Sequence, residues 1–168
     1  MLRDLCEWQV RLLTTERVSE TLEEIYGAGG TILEVLSTHA KIDGTIERVA
    51  RFRVRNSSRV VLVGRSKMFV EPLRAELNDR WEGFLAALET GRSLGCVLGE
   101  ALGARVRSVD RGLSMVDPAR HCRARELVEW FEHGGGAIVE RSRRILADPE
   151  RPLVDLDEYL AIGATGDR

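Results

Sequence analysis

The chain has 168 residues, and its 25 Lys+Arg offset 27 Asp+Glu to a net charge of −2, so no surface built for nucleic acid is expected. That length suits one compact domain, read as residues 1–162 with a flexible tail at 163–168, and no apolar run approaches the ~18–20 residues that cross a bilayer. The three cysteines, Cys6, Cys96 and Cys122, lack the even number and spacing of a disulfide framework, and the charged opening resembles no leader, which predicts a cytoplasmic protein without a membrane partner.

Apolar residues at helical spacing predict helices over 2–13 and over Val18–Tyr26, the second stopped by the glycines at 27–30. The period then changes. Residues 31–36 are rich in β-formers, and Thr45–Val54 alternates Ile46, Arg48, Ala50, Phe52 and Val54 against Glu47, Val49, Arg51 and Arg53. A turn at 56–58 leads into a third strand over 59–69. Pro72 opens a helical stretch to about residue 88, and Ser93 is placed to cap a further helix over Leu94–Leu102. A strand over 104–115 and a helix over 118–132 follow. The chain closes with a hairpin of 137–146 and 153–160 around a turn at 148–152. Strand runs joined by short turns, with helices gathered at the start and middle, predict an α+β fold, an antiparallel sheet with helices on one face.

Two features of the hairpin point to chemistry. Its first strand carries Arg141 and Arg143, and its second carries Asp155, Asp157 and Glu158. Alternation groups Val154, Leu156, Glu158 and Leu160 as an apolar face interrupted by one carboxylate, with Asp157 on the other side beside Asp155. Upstream, Arg65 is expected to share a face with Val61 and Val63, which marks it as a pocket arginine as much as a surface one. Cross-strand pairing of Arg141 and Arg143 with Asp155 and Asp157 is expected to be structural. His121, Cys122 and His133 lack ligand spacing, so no metal is expected, and the glycines at 134–136 lack the Lys-Ser/Thr of a phosphate loop.

Three stretches taken together resemble the chorismate pyruvate-lyase family. Residues 12–23 place Val18 and Ser19 at the family's hydrophobic-threonine pair. Arg51, the Val63-Gly64-Arg65 segment and Ser93-Leu94-Gly95 fall where the family has a pocket arginine, a strand with Gly-Arg and a helix start. Arg141-Ser142-Arg143 and residues 153–160 resemble its closing hairpin. The chain departs from the pattern where the family's catalytic glutamate falls on Asp157, one methylene shorter, and where two family prolines are Ser93 and Ala161.

The resemblance implies a six-stranded antiparallel sheet, helical flaps over a pocket, and removal of pyruvate from chorismate without a cofactor. It implies Arg51 and Arg65 as clamps for two carboxylates, Asp157 as general acid or base, and Val18, Gly64, Leu94 and Glu158 as substrate contacts. A register shift would bring in Glu158 in place of Asp157, and the reading favours Asp157. The implied partner is a small carboxylate, with the protein a monomer or homodimer. Two alternatives stand beside the lyase: a same-fold enzyme for another carboxylated or polyketide-like substrate, and a non-catalytic binding domain like the related UTRA domains of transcription regulators. Those domains follow a DNA-binding winged helix, for which the chain is expected to have no room.

Overall fold

The structure, a computed structural model, describes residues 5–117, 124–131 and 137–162. The elements run α1 (Glu7–Thr14), α2 (Val18–Tyr26), β1 (Thr31–Ala40), β2 (Thr45–Val54), β3 (Val60–Phe69), α3 (Val70–Leu77), α4 (Trp81–Glu89), α5 (Leu94–Leu102), β4 (Val106–Val116), α6 (Ala124–Trp130), β5 (Ala137–Ala147) and β6 (Arg151–Ile162). The strands form one six-stranded sheet in the order β1-β2-β3-β6-β5-β4, antiparallel at every pairing. The α+β class expected from the sequence is the one observed. His121, Cys122, His133, the glycines at 134–136 and the tail at 163–168 lie outside the described residues.

Local chemistry explains where the boundaries moved. The helical stretch expected over 72–88 is two helices, because Asn78 takes a left-handed φ of 52° and the chain passes through a 3-10 turn at Asn78–Arg80. Ser93 caps α5 as expected, its hydroxyl accepting the Cys96 N–H at 3.3 Å. Strand β6 begins at Arg151, so the hairpin turn is shorter than the expected 148–152 segment.

Helices α1 to α5 cover one face of the sheet, called here the inner face. Leu12, Leu13, Val18 and Leu22 of α1 and α2 pack on Val61, Leu62, Val139 and Leu160. Leu73, Leu77, Phe84, Leu88, Leu94 and Leu98 of α3 to α5 pack on Met68, Ile145, Leu153 and Val154. The outer face carries a smaller apolar patch, where Leu127 of α6 and Phe131 meet Val49, Val63, Ile138 and Tyr159. A bulge at Val61, where Phe52 pairs with Leu62 but Arg53 with Val60, turns both Val61 and Leu62 toward α1 and α2. Among the described residues no helix is long and apolar enough to cross a membrane.

Candidate functional site

Between the two inner-face helix clusters the sheet is left bare, because the strand positions there carry small side chains. Register fixes two rows across the sheet. In one, Arg48 of β2 lies opposite Ser66 of β3, Ser66 opposite Leu156 of β6, and Leu156 opposite Arg143 of β5. In the next, Ala50 meets Gly64, Gly64 meets Glu158, and Glu158 meets Arg141. Ser66, Ala50 and Gly64 thus form a low floor flanked by long charged side chains. A Cβ placed on Gly64 would meet only the Ala50 carbonyl oxygen, at 4.0 Å, so the space above the glycine is open. The resulting cavity has a volume of about 290 Å³, near the lower end of small-molecule sites. Leu33, Phe52, Leu62, Leu98, Val106 and Ile145 wall it, and the first residues of α2 and α5 lean over it.

Arg48 is the unusual member. It is 4 % exposed and makes no ion pair among the described residues. Its Nη2 donates to the carbonyls of Leu88 at 3.2 Å and Arg92 at 2.9 Å, an arrangement that caps the end of α4. Its Nε is buried with no hydrogen-bond partner. Burial lowers the pKa of this guanidinium from its ordinary value, and no carboxylate acts to restore it. A buried cation without a counter-charge is costly, and the two carbonyls offset only part of that cost.

The other end of the cavity is charge-balanced. Arg143, 6 % exposed, donates from Nε to Glu158 Oε1 at 2.6 Å, and Glu158 is 4 % exposed. Burial pushes the Glu158 carboxyl above the ordinary range, against the pull of Arg143 and Arg141. Arg143 Nη1 reaches the Glu16 carbonyl and the Ser108 hydroxyl, each at 3.4 Å. Arg141 donates to Asp110 at 3.0 Å and to the Thr15 carbonyl at 2.5 Å. These bonds hold the α1–α2 turn above the sheet. Thr15 shapes that turn by accepting the Arg17 N–H at 3.0 Å. Arg17, the N-cap of α2, supplies no side-chain cap, so the opening N–H groups of α2 remain available beside the cavity.

The structure divides the residues singled out in the sequence. Val18, Gly64, Leu94 and Glu158 line the cavity. Arg51, Arg65 and Asp157 do not: all three project from the outer face, and each already has a partner. Arg51 donates to Glu34 at 3.0 Å, Arg65 pairs with Glu47 through Nη2 and Nε, and Asp157 accepts from Ser142 Oγ at 2.8 Å. The physical reason is strand alternation. Residues 51, 65 and 157 are one step from Ala50, Gly64 and Glu158, and one step in a strand is the opposite face. Arg65 shares its face with Val63, as expected, but that face lies under α6, and the bulge puts Val61 on the other side. The expected hairpin ion pairs shift likewise: Arg144, not Arg141 or Arg143, pairs with Asp155 at 2.6 Å. Sequence reading missed Arg48, although it stands between Ile46 and Ala50 on the apolar stripe of β2.

No protein-family model matches the chain, and no curated protein does. Solved structures do. The effector domain of PhnF from Mycobacterium smegmatis superposes with a TM-score of 0.57 at 12% identity, over 86% of this chain and 88% of that one. The ligand-binding domain of a protein assigned to the GntR family of transcriptional regulators, from Bordetella bronchiseptica, gives 0.56 at 13% identity, over 82% and 86%. A GntR-family transcriptional regulator from Bacillus cereus gives 0.56 at 10% identity, over 83% and 96%. The likeness is one of fold. It places the chain in the chorismate lyase-like α+β fold. It also overturns the expectation of a lyase: the matching structures are domains of regulators, and the three side chains assigned to the chemistry stand on the wrong side of the sheet.

Among the described residues, no three His, Cys, Asp or Glu side chains gather in a way that would hold a metal ion.

Proposed function

We propose that this is a non-catalytic ligand-binding domain, of the kind called UTRA in transcription regulators, whose cavity takes a small anion. The observation that carries this reading is Arg48, a buried guanidinium with an unpartnered Nε in a hollow roofed by helix N-termini. An incoming carboxylate or phosphate would supply the missing counter-charge and accept from that Nε. The solved effector and ligand-binding domains of like fold support the reading by analogy.

Binding need not be accompanied by turnover, since Glu158, the only buried acid of the cavity among the described residues, is held by Arg143. The output is then a change in stability and shape. A ligand at a hundred times its Kd adds about 2.7 kcal/mol, which raises the Tm of a domain this size by roughly 5–10 °C.

Thermal melts with inorganic phosphate, acetate and hexanoate against glycerol test this. Anions raise the Tm of the wild type and leave Arg48→Met unmoved. An equal rise in both proteins contradicts the reading.

A further inference from the structure

A second hollow, of about 530 Å³, opens on the outer face over β3, β6 and β5, beside the patch that α6 covers. Register sets its floor. Lys67 of β3 lies opposite Asp155 of β6, and Asp155 opposite Arg144 of β5, while the next row runs Arg65, Asp157, Ser142. The short Ser142 side chain leaves that second row low. Arg111 forms the far wall, because the bulge between Asp110 and Gly112 sends its side chain over β5 to Asp155, at 3.3 Å.

Most charges around this hollow are already matched. Glu47 holds Arg65 and Lys41, and Asp155 holds Arg144 at 2.6 Å besides Arg111. Asp43, at the rim, accepts from the Thr45 N–H and hydroxyl. Lys67 and Asp157 are opposite charges that make no ion pair among the described residues. They are diagonal neighbours, roughly 7–8 Å apart, yet they diverge. Lys67 Nζ stands over the Phe69 ring, 5.9 Å from its centroid, and Asp157 turns to the Ser142 hydroxyl at 2.8 Å. Glu140, the next outer-face residue of β5, is bonded to the Tyr159 hydroxyl.

Charge balance decides what such a gap takes. A lone anion at Lys67 would face Asp155 and Asp157, and a lone cation at Asp157 would face Arg65 and Lys67. A molecule carrying both signs on neighbouring atoms meets neither objection. We propose that the outer-face hollow is a second binding site, for a small zwitterion such as an α-amino acid, with its ammonium on Asp157 and Ser142 and its carboxylate between Lys67 and Arg111. Burial holds the Asp157 carboxyl above its ordinary range, so an ammonium beside it offsets a desolvation cost. Arg111 has N–H groups to spare, since its one contact is with an acid that Arg144 already holds. This site goes beyond the anion-binding reading and stands apart from it, because the two hollows lie on opposite faces of the sheet.

Serine and the two molecules made by deleting one of its charges test this. 3-Hydroxypropionate lacks the ammonium, and ethanolamine lacks the carboxylate. In proton–nitrogen NMR titrations of the intact protein at low salt, serine should move the backbone amides of Lys67, Ser142 and Asp157 together and saturably. It should bind there roughly tenfold more tightly than either single-charge analogue, the worth of one hydrogen bond to a charged group. Asp157→Asn, which keeps the side-chain shape and an acceptor for Ser142, and Lys67→Met should each weaken serine roughly tenfold. Melting curves of both variants check that the fold is retained. The zwitterion site falls if either analogue matches serine at these residues, or if both variants bind serine as the wild type does. It falls equally if none of the three amides shifts saturably. Shifts confined to the Arg48 Nε–H would remove the outer site and leave the inner one standing.

Discussion

The two faces of this sheet handle arginine in opposite ways. On the outer face Arg51 and Arg53 share Glu34, Arg65 shares Glu47 with Lys41, and Arg144 and Arg111 share Asp155. These charges are matched within their own row or the next. On the inner face three arginines are buried, two of them paired with Glu158 or Asp110, and Arg48 is left without an anion. A matched charge has little left to offer a ligand. An unmatched one in a low-dielectric hollow can respond strongly to whatever small anion reaches it.

That contrast can be broken deliberately. The largest effect is expected from Glu158→Ala, which strands Arg143 in the interior: unfolding free energy in urea should fall by about 3–5 kcal/mol. Arg48→Met, at an equally buried cation, should by contrast move stability by no more than about 1 kcal/mol, because the lost bonds to Leu88 and Arg92 are offset by removing an uncompensated charge. A fall for Arg48→Met as large as that for Glu158→Ala would show that Arg48 is a structural cap and no more.

The outer face sharpens the comparison through pH. Burial raises the Asp157 pKa from the usual aspartate value, with Ser142 and Arg65 pulling the other way, so the folded state favours the protonated acid. The stability this contributes is fully present below the unfolded pKa and is lost as pH rises through the folded one. Glu47 has the opposite sign: its bond to Arg65 lowers its pKa, and its contribution is lost as pH falls through that lowered value. Melts from pH 3 to 8 should therefore show Asp157→Asn gaining on the wild type as pH rises, and Glu47→Gln losing ground over the same interval. Parallel curves for the two variants would contradict these assignments. The smallest effect belongs to Arg51→Ala, a partly exposed pair whose loss should cost about 0–1 kcal/mol and leave ligand binding unchanged.

Much of this architecture was legible in the residues. Alternation and β-rich apolar runs located β2, β3 and the closing hairpin, the Ser93 cap located α5, and alternation grouped Glu158 with Val154, Leu156 and Leu160, although Asp157 was the acid favoured for the site. Family resemblance selected Arg51, Arg65 and Asp157, each one step off the inner face, and alternation added to the case for Arg65 by grouping it with Val61 and Val63. Local periodicity reads the facing of a side chain directly, whereas a distant motif match tolerates a shift of one residue, and in a strand one residue is the difference between faces. Arg48 carried the same signal as Glu158, a charge on an apolar stripe, and was passed over for its neighbour. The pairing that makes it a site was not legible. Strand β6 inserts between β3 and β5, so Gly64 meets Glu158 across 94 positions of sequence, and no local pattern encodes that. The outer patch under α6 was hidden too, since a sheet apolar on both faces gives each arginine an apolar neighbour.

The claim that matters most is that Arg48 is waiting for an anion, and its Nε–H can be watched directly. In a proton–nitrogen NMR titration with hexanoate, the account predicts that the Arg48 Nε–H resonance, assigned by its loss in Arg48→Met, moves saturably while those of Arg51 and Arg65 stay in place. A stationary Arg48 signal with shifts confined to the outer-face arginines would contradict it.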